Sequence, residues 1–277
     1  MRVIRKDPEY IDHQEYIKHF AVKGKREELS KDTIIQDSDG KNIFGYFSFP
    51  YGKDFKWALK NMDIRRLTTV RGYYKNRQNS RTFGSRPRDK FRRLPTCSKQ
   101  RIVREEPKVA HVLEIYAGKL EKIYREWFPD TYQYHQTCAQ DILPDWKMPN
   151  SVFTSGIVNE TSQLYYHKDA KNFEGTYSNM IVVRKDTGGG GLVVPSLNVY
   201  VPCEDATLVI FNGQKFTHGV TEIEKTKPTG YRFSVVYYTL EKMTECKSVE
   251  EEMEMGRDER TQTEYKTKDQ EYLKLKG

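Results

Sequence analysis

From about Asp145 to Leu240 the chain is a succession of short β-branched and aromatic runs, separated by turn residues and without helical periodicity. No other feature limits the fold as strongly. The runs are Val152–Val158, Gln163–His167, Tyr177–Val183, Gly191–Val194, Leu197–Val201, Ala206–Phe211, His218–Ile223 and Tyr231–Thr239. Eight short strands with no helix between them predict a two-sheet jelly roll, or double-stranded β-helix. Ahead of it, Val109, Val112, Leu113, Tyr116, Leu120, Ile123, Tyr124 and Trp127 recur at steps of three and four. That spacing predicts a helix over Val109–Phe128, opened near Glu105-Glu106-Pro107, stopped by Pro129 and packed on one sheet. The expected class is α+β, a jelly-roll core with flanking N-terminal helices. Its expected segments are an N-terminal extension (1–64), a basic and helical support belonging to the catalytic domain (65–140), the jelly roll (141–241) and a charged tail (242–277).

The last run carries chemistry. Alternation along Tyr231–Tyr238 puts Arg232, Ser234, Val236 and Tyr238 on one face and Tyr231, Phe233, Val235 and Tyr237 on the other. A guanidinium in so apolar a run needs a partner, because burying an isolated charge is costly. A planar guanidinium beside a hydroxyl suits a ligand carboxylate; an exposed strand edge or a protein acid is the alternative. Upstream stands His167-Lys168-Asp169, whose first and third side chains share one side of an extended segment. His218 follows on a later strand. Two histidines and a carboxylate make the face that holds ferrous iron with positions left open. The pair alone reads rather as a strand end or a His–carboxylate hydrogen bond; the order His, Asp, His, Arg favours the iron and 2-oxoglutarate arrangement. Gly188–Gly191 lacks the Lys-Ser/Thr of a phosphate loop and runs into Leu192-Val193-Val194, so it predicts a tight turn between strands.

The 277 residues suffice for one large domain or two small ones, and the net charge of +8 favours an anionic partner. The excess is concentrated: Arg65 to Arg104 holds fourteen Lys or Arg against the single acid Asp89, with Tyr73, Tyr74, Phe83 and Phe91 interleaved. Such density suits phosphate contacts with base stacking, against the alternative of a solvated charged segment. No apolar run approaches a membrane span, and Met1–Tyr10 lacks the pattern of a secretory signal. Cys97, Cys138, Cys203 and Cys246 lie far apart, with no CxxC, and read as free or buried thiols of a reducing compartment. The expectation is a soluble intracellular protein, nuclear in a eukaryote or cytoplasmic in a bacterium or phage, with no membrane and no protein partner. The tail from Lys242, with eight basic and ten acidic residues, is expected to be a solvated helix or a disordered end.

With these residues in view, Arg65 to Tyr238 resembles the TET/JBP family of nucleic-acid 5-methylpyrimidine oxygenases. His167-Lys168-Asp169-Ala170-Lys171-Asn172 is similar to the family's HxDxxN signature. Gly189-Gly190-Gly191-Leu192 through Pro195, His218-Gly219 and Tyr231-Arg232-Phe233-Ser234 follow in family order. Asn79-Ser80-Arg81-Thr82-Phe83-Gly84 with Pro87-Arg88 resembles a segment that precedes the barrel in JBP-like members. The resemblance implies His167, Asp169 and His218 as iron ligands, with Arg232 and Ser234 on the distal carboxylate of 2-oxoglutarate. It further implies Asn172 as a hydrogen-bond partner of the target base, Tyr238 as an aromatic stacked on the flipped base, and Arg81 as a contact to cosubstrate or phosphate.

The chain also departs from the family. It has no cysteine-rich zinc module and no helicase-like addition, and Leu240 stands where animal TET enzymes have a His. The implied activity, with Fe(II), 2-oxoglutarate and O2, is hydroxylation of the 5-methyl group of thymine or 5-methylcytosine in DNA. A base in a duplex must be flipped out to reach such a site. The alternatives are an oxygenase acting on a protein side chain or small molecule, and a non-catalytic nucleic-acid-binding jelly roll.

Overall fold

A computed structural model describes residues 1–64, 66–67, 78–89 and 96–258. In chain order the strands are β1 (Arg2–Arg5), β2 (Glu27–Glu28), β3 (Thr33–Gln36), β4 (Asn42–Ser48), β5 (Arg66–Leu67), β6 (Gln78–Arg86) and β7 (Ser98–Lys99). They continue with β8 (Ser155–Glu160), β9 (Ser178–Lys185), β10 (Thr187–Gly189), β11 (Leu192–Val194), β12 (Val199–Val201), β13 (Thr207–Phe211), β14 (Gly219–Val220), β15 (Ile223–Lys225) and β16 (Tyr231–Tyr238). The helices are α1 (His13–Tyr16), α2 (Lys53–Asn61), α3 (Arg101–Glu105), α4 (Pro107–Trp127) and α5 (Pro129–Cys138).

A large sheet runs β1-β3-β4-β13-β9-β16-β8-β6-β5, with β7 beside β6; facing it is a small sheet, β14-β11-β12-β2, and β10 pairs with β15. This is the expected jelly roll with helices laid on one side. The segment 1–64 contributes more than an extension, because β4 pairs with β13 in the middle of the large sheet.

Side-chain alternation sorts the core into two layers. Ile181 and Val183 of β9, Leu208 and Ile210 of β13, and Phe233, Val235 and Tyr237 of β16 pack against α2 and α4. Their neighbours Met180, Val182, Val209 and Phe211 point the other way, onto Leu192, Val194, Val199 and Val201 of the small sheet. Helix α4 begins with Pro107 at its first turn, where a missing N–H costs nothing, and gives way at Phe128 to Pro129 of α5. Its buried stripe of Val109, Leu113, Tyr116, Leu120 and Tyr124 is the one the spacing predicts. Each such fully buried side chain stabilises the fold by about 1.5–3 kcal/mol relative to exposure.

Several expectations change. Gln163–His167 is not a strand; its residues form isolated bridges, Tyr165 with Phe20, Tyr166 with Ile17 and His167 with His218. The glycine run is only partly a turn: Gly189 ends β10, and both Gly189 and Gly190 have φ in the left-handed region. Cys97 and Cys246 form a disulfide, so the free thiols are Cys138 and Cys203, and the cysteine argument for a reducing compartment falls. The tail is docked at its start. Glu252, 2% exposed, accepts hydrogen bonds from Arg88, from the amide of Cys97 and from that of Lys247. Residues 259–277 lie outside the described residues. No helix among the described residues is long and apolar enough to cross a membrane.

Candidate active site

His167 and His218 face each other across an antiparallel bridge and exchange both backbone hydrogen bonds, each 2.9 Å. Their ring centroids lie 4.3 Å apart. In each ring Nδ1 donates to a carbonyl two residues earlier, to Tyr165 at 2.8 Å and to Phe216 at 2.9 Å. A carbonyl only accepts, so Nδ1 carries the proton and Nε2 keeps the lone pair that a metal needs. Each Nε2 is 3.8 Å from Oδ1 of Asp169. The three side chains offer ligand atoms all within 4.8 Å of one another, the geometry of a metal face. Burial and the neighbouring His167 push the His218 pKa down to about 4, which keeps the imidazole neutral near pH 7.

Asp169 is fixed by its surroundings. Its amide donates to the carbonyl of Gly213 at 2.9 Å, and Ser178 Oγ donates to Oδ2 at 3.4 Å. A Cβ on Gly213 would stand 2.1 Å from that Oδ2, so only glycine leaves room for the carboxylate. Neither Gly213 nor Ser178 was singled out from sequence. Their contacts come from tertiary approach, which no local spacing records.

Beyond the triad lies a cavity of about 560 Å³ between the two sheets, within the roughly 300–1,000 Å³ usual for small-molecule sites. Asn159, Ser234, Val236 and Tyr238 line it from the large sheet, Leu192 and Val220 from the small one, and Tyr165, Lys171, Asn172 and Leu240 from the loops. Arg232 shares the face of Ser234 and is 1% exposed, without itself lining the cavity. Its Nε and Nη2 have no hydrogen-bond partner among the described residues. Gly190 makes room for it, since a Cβ there would come within 2.8 Å of Arg232 Cδ. A buried cation with two unused donors calls for an anion with paired acceptors, and a carboxylate meets that need. The donor set therefore fits both a divalent metal and a carboxylate cosubstrate.

Asn172 is buried, donates from Nδ2 to Ser178 Oγ at 3.4 Å, and its backbone carbonyl accepts from Gln214 Nε2 at 2.8 Å. Its backbone bridges Leu240, so the two residues stand together at the cavity wall. Tyr238 also lines the cavity; burial, with Asp169 nearby, raises its pKa and keeps the phenol neutral.

Arg81 is a correction. It pairs in register with Val158, whose side chain points into the helix-covered core, and it is bound by Glu105 and Glu106 and by the carbonyl of Asp63 at 2.6 Å. It does not line the cavity. Elsewhere in the basic stretch Arg88 is held by Glu252 and the largely exposed Arg101 by Glu105, while Arg104 is exposed. Arg65, Arg71, Lys75, Arg77, Lys90, Arg92, Arg93, Tyr73, Tyr74 and Phe91, named above as phosphate and stacking candidates, lie outside the described residues.

Comparison with known proteins agrees with this geometry. The bifunctional helicase and thymine dioxygenase JBP2 of Trypanosoma brucei brucei is 22% identical over 228 residues, 76% of this chain and 20% of the relative. This chain therefore spans about a fifth of that protein's length. The solved structure of NgTET1 in complex with 5mC DNA shares the fold at a TM-score of 0.63 and 14% identity, covering 93% of this chain and 90% of the other. The Tet_JBP family model, the oxygenase domain of the 2OGFeDO superfamily, matches residues 86–241. Those residues are more than half of the chain and include the facing histidines, Asp169 and Arg232; the chain belongs to the Tet/JBP family of 2-oxoglutarate- and Fe(II)-dependent oxygenase domains.

Proposed function

We propose that this chain hydroxylates the 5-methyl group of a pyrimidine in DNA, thymine or 5-methylcytosine. The observation that carries the reading is a single cavity lined by the His167, Asp169 and His218 triad, Ser234, Asn172 and Tyr238, with the open donors of Arg232 on the Ser234 face. His167, Asp169 and His218 would hold Fe(II), and Arg232 with Ser234 would hold the distal carboxylate of 2-oxoglutarate. When bound, Fe(II) with 2-oxoglutarate and O2 supplies the oxidation of a C–H bond, with release of succinate and CO2.

The rest of the work is positioning. Tyr238 offers a neutral ring on which a flipped base stacks. With Nδ2 given to Ser178, Asn172 has Oδ1 left to accept from a base N–H. Leu240 completes the wall without a donor or acceptor. The matched thymine dioxygenase and the solved complex with 5mC DNA support a pyrimidine in DNA as the substrate.

The test is nucleoside mass spectrometry after incubation with Fe(II), 2-oxoglutarate and DNA with or without 5-methylcytosine. Hydroxymethyl pyrimidine is expected, from thymine in either DNA or only from the methylated one. No oxidised pyrimidine, with succinate released instead on a protein or small-molecule substrate, would overturn the reading.

A further inference from the structure

Residues 12–21 lie outside the span that the family model matches, yet they are tied to both histidine-bearing segments. On one side, Ile17 bridges Tyr166, Phe20 bridges Tyr165, and the amide of Tyr166 donates to the carbonyl of His19 at 3.1 Å. On the other, His13 Nδ1 lies 2.9 Å from Thr217 Oγ1, next to His218. A Cβ on Gly219 would meet Ala21 Cβ at 2.9 Å, so that glycine leaves room for the strap. Gln163–His167 thus lies between two partners, with Tyr165 and Tyr166 paired to the strap and Leu164 and His167 bonded to Val220 and His218.

One product of this contact faces the cavity. The ring of Phe20 stacks on that of Tyr165 with centroids 3.9 Å apart and an interplanar angle of 20°, and Tyr165 lines the cavity. Tyr165 is held by a ring that is itself fixed in the strap. A rigid aromatic at a cavity wall is suited to a flat π-face, because little rotamer freedom remains to be lost on binding. We infer that Tyr165, backed by Phe20, is a second base-contacting residue, an aromatic wall for the pyrimidine in addition to Tyr238. The inference rests on the DNA reading above.

The test uses the metal-free full chain and fluorescein-labelled single-stranded oligonucleotides bearing 5-methylcytosine, thymine or an abasic site at one position. Anisotropy gives Kd, and steady-state turnover of the Fe(II)-loaded protein gives KM and kcat. Base–aromatic stacking is worth about 1–3 kcal/mol, so Tyr165→Ala is expected to weaken pyrimidine binding roughly 5- to 150-fold. The preference for a pyrimidine over the abasic site should shrink by the same factor, and KM should rise more than kcat falls. Tyr165→Phe, which keeps the ring, should restore binding, and Phe20→Ala should fall between.

Tyr165→Ala with Kd values within twofold of wild type overturns the inference. So does a loss of Fe(II) affinity in step with oligonucleotide affinity, since the strap would then only support the triad. Wild-type protein that neither binds nor oxidises any of these oligonucleotides overturns the DNA reading and this inference with it. A normal wild type with an unaffected variant overturns the inference alone.

Discussion

Both faces of β16 carry fully buried side chains, and the two faces serve opposite ends. Toward the helices, Phe233, Val235 and Tyr237 are at most 4% exposed, and the hydroxyl of Tyr237 donates to the carbonyl of Leu113 at 2.9 Å. Toward the small sheet, Arg232 is 1% exposed with two donors unused among the described residues, and the Ser234 hydroxyl accepts from Asn159 at 3.5 Å. Toward the helices the orphaned polar atom is the neutral hydroxyl of Tyr231; toward the small sheet it is a buried guanidinium, which calls for an anion. Burial alone does not separate core from site; the state of the buried polar groups does.

That comparison is most sharply broken by removing a metal ligand. Asp169→Ala should abolish turnover, at least 1,000-fold below wild type, and strip Fe(II) on dialysis, while circular dichroism stays unchanged. On the helix-facing side, Phe233→Ala should cost about 3–5 kcal/mol of stability by leaving a cavity, read as a lower midpoint in urea. Activity per folded molecule should hold. Arg232→Met should raise the KM for 2-oxoglutarate on the order of 100-fold, because charge-assisted hydrogen bonds are worth about 1.5–3 kcal/mol each. Without cosubstrate the same variant should be as stable as wild type or more so, since an unpaired buried cation is gone. A drop in stability there would show that Arg232 serves the fold. Gly213→Ala should weaken Fe(II) about 10- to 100-fold by displacing the Asp169 carboxylate, with a small change in Tm.

The smallest effect is one of pH on the helix side. His135 is fully buried, and burial pushes its pKa down to about 3. Thr239 gives its proton to the carbonyl of Val152 and so accepts from His135 Nε2, which leaves Nδ1 bare among aromatic rings. The unfolded chain takes up a proton near pH 6.5 and the folded chain only near pH 3, so stability is lost as pH falls through that window. His135→Gln should flatten the dependence of Tm on pH between 6.5 and 4. An unchanged slope would assign the loss to other groups.

What could be read from sequence was what repeats locally. The stripe of α4, the alternation of β16 and the shared side of His167 and Asp169 all follow from periods of 3.6 or 2. What could not be read depends on distant approach. Arg81 looked free for a ligand because its partners, Glu105 and Glu106, come from a helix junction beyond a basic segment. β4 has no local sign that it joins β13, and the strap at 12–21 shows no pattern linking it to Tyr165 and Thr217. The disulfide was invisible for the same reason, its cysteines being 149 residues apart.

That bond gives the oxygenase core a topology as well as an anchor. Every residue placed here on metal, cosubstrate or the Tyr238 wall lies between Cys97 and Cys246, so the catalytic segment is a covalent ring even when unfolded. Closing a ring of that size removes denatured-state freedom worth on the order of 5 kcal/mol. The strap, by contrast, threads onto the ring from outside and holds it only by noncovalent contacts. A reductant would thus turn a circular catalytic segment into a linear one without touching any atom in the cavity.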